Sequence, residues 1–120
     1  HKPKVRMPGG AGSAVLIPTV KRAILWRTKH DRRTFVEKVD FVTTRGNIDR
    51  IVTPLCVFRY DGRRLCLDTV HPGVSAELLQ ENTGFLLDMS QMRRTPLPTE
   101  EELRKLRLID PKDYRNIEFL

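Results

Sequence analysis

Hydrophobic and polar positions along the chain change rhythm several times, and each change marks an element. Apolar Ser13–Ile17, with Ala14-Val15-Leu16-Ile17 unbroken, ends at Pro18. Residues 22–28 carry Ile24, Leu25 and Trp26 and read as a strand. A charged connection, Lys29-His30-Asp31-Arg32-Arg33, leads to Phe35-Val36-Glu37-Lys38-Val39. The β-branched run Phe41-Val42-Thr43-Thr44 predicts another strand, and Arg45-Gly46-Asn47 a turn. Ile51 to Tyr60 and Arg64 to Val70 flank Asp61-Gly62, a strong signal for a two-residue hairpin turn. That turn would set Val57 opposite Cys66 and Cys56 opposite Leu67. Both faces of the hairpin carry apolar residues, as in a covered sheet.

After the hairpin, His71-Pro72-Gly73 breaks the chain. Ser75 is an N-cap for a helix over Ala76 to Asn82, with Leu78 and Leu79 turned inward and Gly84 at its C-terminal side. Phe85-Leu86-Leu87 reads as a last strand. Thr99 and Glu102 form a capping box, followed by Arg104, Lys105 and Arg107 at the negative end of a helix. Only Leu103 and Leu106 make an apolar stripe there, so this helix lies on the surface. Nothing repeats. Strands early and helices late predict a mixed α/β fold in a single domain spanning 1–120.

Composition narrows the picture. Of 120 residues, 39% are apolar and 31% charged, a globular rather than disordered balance. No apolar run approaches the roughly 20 residues of a membrane span. His1 opens a basic stretch without the apolar segment of a secretory leader, and a first residue other than Met points to a processed, partial or excerpted chain. The net charge of +7 is uneven: residues 1–50 hold 12 basic and 4 acidic side chains, residues 51–120 hold 10 and 11. A basic half suggests an anionic partner, whether nucleic acid, a phosphorylated cofactor or an acidic protein surface. The two cysteines, Cys56 and Cys66, point to opposite faces of the hairpin and read as reduced, which fits a cytoplasmic protein. No Cys-x-x-Cys or His pair offers a metal-ligand knuckle.

Four groups could carry chemistry. Gly9-Gly10-Ala11-Gly12 lacks bulky side chains, so its backbone N–H groups could approach a phosphate or an oxyanion. The Lys and Ser/Thr of a phosphate loop are absent, and on composition alone the cluster reads as a turn. His71 would need a nucleophile or carboxylate partner, and Pro72-Gly73 already explains its segment as a turn. Lys29, Arg32 and Arg33 around His30, near Trp26, read as a solvated connection rather than a nucleic-acid groove. Glu81-Asn82-Thr83-Gly84 reads as a helix end. Glu37, Asp40 and Asp68 show no partner that would tune them.

Taken together, Pro8-Gly9-Gly10-Ala11, Phe35 to Thr43, Ile51 to Phe58, His71-Pro72-Gly73-Val74, Glu81 to Phe85 and Pro98 to Leu103 resemble the C-terminal part of the β subunit of family I CoA-transferases, the glutaconate and 3-oxoacid type. The spacing from His-Pro-Gly-Val to Thr-Gly-Phe is the most specific part. The resemblance implies an open mixed α/β sheet with flanking helices and a homologous α-subunit partner. It implies covalent catalysis through a glutamyl-CoA thioester, with the nucleophilic glutamate in an N-terminal part that this chain does not contain. No catalytic side chain is then expected here. The implied contact with the CoA thioester is Gly9, Gly10 and Ala11, with Gly9 as a backbone donor to the oxyanion. No permanently bound cofactor and no metal is implied; the CoA thioester is substrate, and its phosphates account for the basic bias.

Two departures stand out. Glu81 lies in the Thr-Gly-Phe segment and is not the family's nucleophile. Related oxoacid transferases carry another glycine two positions before the Gly-Gly pair, where this chain has Met7. Some relatives hydrolyse carbon–carbon bonds of CoA thioesters in steroid breakdown instead. The reading of a different class is a basic, non-catalytic module binding RNA or protein.

Overall fold

The computed structural model describes residues 9–119. Met7, Pro8 and the basic residues before them, all part of the sequence reading, lie outside the described residues. The chain forms α1 (Ala11–Thr19), β1 (Ala23–Trp26), β2 (Ile48–Val52), β3 (Cys56–Tyr60), β4 (Leu65–Val70), α2 (Ala76–Glu81), β5 (Arg93–Arg94), α3 (Glu100–Ile109) and a closing 3₁₀ turn, Tyr114–Phe119. The five strands make one mixed sheet in sequential order. β1 and β2 are parallel, β2, β3 and β4 antiparallel, and β4 and β5 parallel. The fold is the mixed α/β class that the sequence predicts.

The core gathers around the middle of the sheet. Phe58, Cys56 and Val70 are fully buried, joined by Phe35, Val74, Leu79 and Leu87. Phe58 packs tilted against Phe35 at 5.3 Å and Phe85 at 6.4 Å between ring centroids. Ser75 caps α2 by accepting from the Leu78 N–H. α2 then buries Leu79 but leaves Leu78 exposed, because six residues give it one inward row. It ends at Glu81, with Asn82 as its cap in right-handed geometry. Gly84 therefore does not cap the helix. Instead it bridges to Val36, its N–H bonding Phe35 O at 2.7 Å.

Several elements depart from the sequence reading. Ile51 to Tyr60 is two strands, because the chain turns at Thr53–Leu55 and Pro54 has no N–H for a ladder. The Asp61-Gly62 hairpin exists, but its loop has four residues. The Asp61 carboxylate accepts the N–H groups of Arg63 and Arg64, both at 2.9 Å, and spreads the turn to Arg64. The pairing is therefore Tyr60↔Leu65 and Arg59↔Cys66, with an irregularity at Val57/Phe58 where Asp68 is the extra residue. The two thiols are free and sit in different surroundings, Cys56 buried and Cys66 half-buried. Phe41–Thr44 and Phe85–Leu87 are not strands, since neither finds a ladder partner. Arg93–Arg94 supplies the last strand instead. Among the described residues no helix is long and apolar enough to cross a membrane.

Candidate active-site loop

The Gly9–Gly12 cluster does not form an isolated turn. Gly9 precedes Gly10, which is the N-cap of α1, and Ala11 is the helix's first residue. All three are exposed. No side chain caps this end, and its first turn holds no acidic residue. The first intrahelical bond runs from Ala14 N–H to Gly10 O at 2.8 Å. The amides of Ala11, Gly12 and Ser13 therefore have no acceptor within the helix and stand at its positive pole. Among the described residues, a Cβ on Gly9 would meet nothing within 4 Å. Gly12, the last residue of the cluster read from the sequence, lies in the same first turn, and Ser13 joins them as a further N–H donor that the sequence alone does not single out.

α1 reaches this position without burying any residue. It is fixed at its far end. Asn47 donates its N–H to Ile17 O (3.4 Å) and its Nδ2 to Val20 O (2.8 Å), and its carbonyl accepts from Ala23 N–H (2.7 Å). Gly46 lies so close that an added Cβ would fall 2.5 Å from Ile17 O. The short link 20–22 leads from the helix straight into β1, so Asn47 meets both the end of the helix and the start of the sheet.

The other candidates fall into structural roles. His30 is buried, not solvated. Its ring stacks on Phe35 at 4.4 Å, with Nδ1 2.9 Å from Thr53 Oγ1 and Nε2 3.0 Å from Thr83 Oγ1. Both hydroxyls that meet the ring also reach a backbone carbonyl, Thr83 Oγ1 at Leu79 O (2.8 Å) and Thr53 Oγ1 at Cys56 O (3.0 Å). Burial lowers the His30 pKa, against a smaller opposing pull from Asp31. A charged neighbourhood in sequence hid this residue, and its partners are far away along the chain. His71 ties Thr53 O (2.9 Å) to Thr95 Oγ1 (2.9 Å). Asp68 does have partners: Arg50 at 3.1 Å and Arg93 at 2.5 Å. Glu81 is the exposed last residue of α2, as the plain reading expects. Glu37 and Asp40 are exposed. Cys56 is no nucleophile, since burial pushes its thiol up to about 12. Among the described residues no group of three or more His, Cys, Asp or Glu could hold a metal ion.

The sequence and the fold match one class of enzymes. The coenzyme A transferase family model matches residues 1–82, and the chain belongs to that family. Within the family it is similar to the β subunit of 3-oxoadipate CoA-transferase from Pseudomonas knackmussii, 30% identical over 93% of this chain and 50% of that protein. It is also similar to the cholesterol ring-cleaving hydrolase IpdB subunit of Mycobacterium tuberculosis, 34% identical over 78% of this chain and 44% of that protein. Among solved structures, the decarboxylase AibA/AibB superposes with a TM-score of 0.82 at 32% identity, over 97% of this chain and 49% of that one. Glutaconate coenzyme A-transferase from Acidaminococcus fermentans gives 0.73 at 28% identity, over 89% and 48%. The chain spans about half the length of the curated relatives it matches.

Proposed function

We propose that this chain is the C-terminal part of the β subunit of a two-subunit, cytoplasmic CoA-transferase. The enzyme moves CoA between an acyl-CoA thioester and a carboxylic acid through a glutamyl-CoA thioester. The observation that carries this reading is the open, uncapped N-terminus of α1, led by Gly9-Gly10, in a chain of the CoA-transferase family. Thioester attack places negative charge on the carbonyl oxygen. Backbone N–H groups already aimed at that oxygen need no rearrangement when the charge appears, which lowers the barrier. Gly9, Gly10 and Ala11 face the thioester in this reading, with Ala11, Gly12 and Ser13 adding the helix's positive pole. The nucleophilic glutamate comes from the N-terminal part of the same subunit. An α subunit completes the assembly. CoA is substrate, and no cofactor is permanently held.

A second reading of the same fold is a CoA-thioester hydrolase, favoured by the similarity to the IpdB subunit at 34% identity. The two separate in one assay. The complete two-subunit enzyme is incubated with acetyl-, succinyl- or glutaconyl-CoA and a second carboxylic acid, 3-oxoadipate or acetate. Mass spectrometry then follows the CoA products. A transferase yields the CoA ester of the added acid. Consumption of the CoA substrate with no dependence on any acceptor acid overturns transfer in favour of hydrolysis. Retention of RNA by the enzyme that weakens steeply with salt, and no turnover of any thioester, would point to the basic binding module instead.

A further inference from the structure

Residues 43–47 follow α1 from one end to the other. At the glycine end, a Cβ on Gly10 would lie 3.5 Å from Thr43 Cγ2. At the other end, Gly46 abuts the backbone of Ile17 and Pro18, and Asn47 bonds Ile17 O and Val20 O. The lengths agree. From Gly10 to Ile17 a helix rises about 10 Å, and four residue steps of extended chain cover about 13 Å. The run that resembles a strand in sequence thus has a helix beside it in place of a ladder.

This contact is decisive because α1 has little else. Its Val15 and Leu16 are 63% and 61% exposed, it buries no residue, and Pro18 removes one backbone donor from its last turn. Thr19 Oγ1 satisfies Val15 O and Leu16 O within the helix. The carbonyls of Ile17 and Val20 are taken by Asn47, whose own carbonyl holds Ala23 at the start of β1. One side chain and its backbone therefore connect the helix end, the link and the sheet.

We infer that Asn47 is a positioning residue for the glycine loop, with Gly46 giving it the close approach it needs. Asn47 touches no substrate. It fixes the axis of α1, and through it the place where the Gly9–Ser13 amides stand. The inference rests on the reading of Gly9–Ala11 as the thioester-facing loop.

The test uses the complete two-subunit enzyme with acetyl-CoA as donor and 3-oxoadipate as acceptor, and compares Asn47→Ala, Asn47→Asp and Asn47→Gln with Gly9→Val. Asn47→Asp keeps the shape but loses the donor to Val20 O. The expected result is a kcat lowered about tenfold or more in the Ala and Asp variants, a KM for acetyl-CoA within about twofold of the parent, and partial recovery in the Gln variant, which keeps an amide donor. Hydrogen exchange at Ala14–Leu16, read without substrate, should quicken about tenfold in the Ala and Asp variants, with β3 and β4 unchanged. Should Asn47→Ala fail to assemble, the Asp and Gln variants carry the same comparison. Parental kcat and parental α1 exchange in the folded variants, beside a crippled Gly9→Val, overturn the role of Asn47 and leave the loop reading intact. Parental kcat in Gly9→Val overturns the loop reading itself, and the positioning role with it.

Discussion

The two longer helices begin in opposite ways. α3 starts with a full set of partners: Thr99 Oγ1 accepts from Glu102 N–H, Glu102 Oε2 accepts from Thr99 N–H at 2.7 Å, and Glu100 and Glu101 add charge to the first turn. Those bonds hold the Glu102 carboxyl below its usual range, the Thr99 backbone N–H most of all. α1 starts with Gly-Gly-Ala-Gly and has no cap and no acid. The same positive pole is neutralised from within in α3 and, among the described residues, has no side-chain partner in α1. A stable helix needs the first arrangement, and a site for developing negative charge needs the second.

Substituting Gly9 should break this contrast most severely. Its backbone is not left-handed and a Cβ there meets nothing among the described residues, so Gly9→Val should leave the melting temperature of the assembled enzyme within a few degrees of the parent. A branched side chain in front of the free amides should lower kcat by about a hundredfold to a thousandfold, the range for a lost oxyanion donor. Gly73→Ala serves as the control. Its φ of +83° puts a side chain in strained backbone, so stability should fall by about 1–2 kcal/mol while kcat per folded enzyme stays level. A loss of activity in the control equal to that of Gly9→Val would remove the distinction.

A second variant makes α1 resemble α3. Gly10→Asp places a capping carboxylate at the N-cap, where a Cβ makes only ordinary contact with Thr43 and Ser13. The helix should gain stability in thermal melts, and the anionic thioester oxygen should lose its place, with kcat down about tenfold or more. Equal or higher turnover would show that the open pole does no chemistry. The reverse operation is milder: Thr99→Ala opens the α3 cap and should cost about 1 kcal/mol, seen as faster hydrogen exchange in the first turn of α3, with kcat untouched.

The smallest expected effect comes from acid. His30 is buried neutral in the folded chain, so the unfolded chain takes up its proton at the higher pH. Stability from this residue is therefore full above about pH 6.5 and lost as pH falls below it. Urea midpoints measured between about pH 7.5 and 5 should fall in the parent and flatten in His30→Gln. Equal slopes would mean that His30 takes up its proton at the same pH in the folded and the unfolded chain.

What the sequence shows and hides follows from the range of each interaction. The Thr99–Glu102 box and the Ser75 cap are legible because all their atoms lie within one helical turn. The hairpin is legible in place but not in register, because the Asp61 side chain, not the Asp-Gly dipeptide, sets the loop length. Gly9, Gly10 and Ala11 can be picked out by their chemistry, yet the helix behind them cannot. Its glycines, Pro18 and exposed Val15 and Leu16 give no helical stripe, and its anchor is Asn47, far along the chain. β5 is two arginines and carries no strand pattern. His30 finds its partners at Thr53 and Thr83.

The parallel pair β1–β2 shifts register once, Ala23 opposite Ile48 and Ile24 opposite Arg50, so that Asp49 is the unmatched residue and turns to Arg22 and Arg50. Asn47, the last residue before β2, hangs from that alignment, and α1 hangs from Asn47. A slip of one residue between the strands would move the helix by about 3.3 Å, more than the whole tolerance of a hydrogen bond between an amide and an oxyanion. The alignment of two paired strands thus acts as a vernier for the loop, and, on the proposed reading of that loop, an error made in pairing the sheet would be read out as an enzyme that folds but does not turn over.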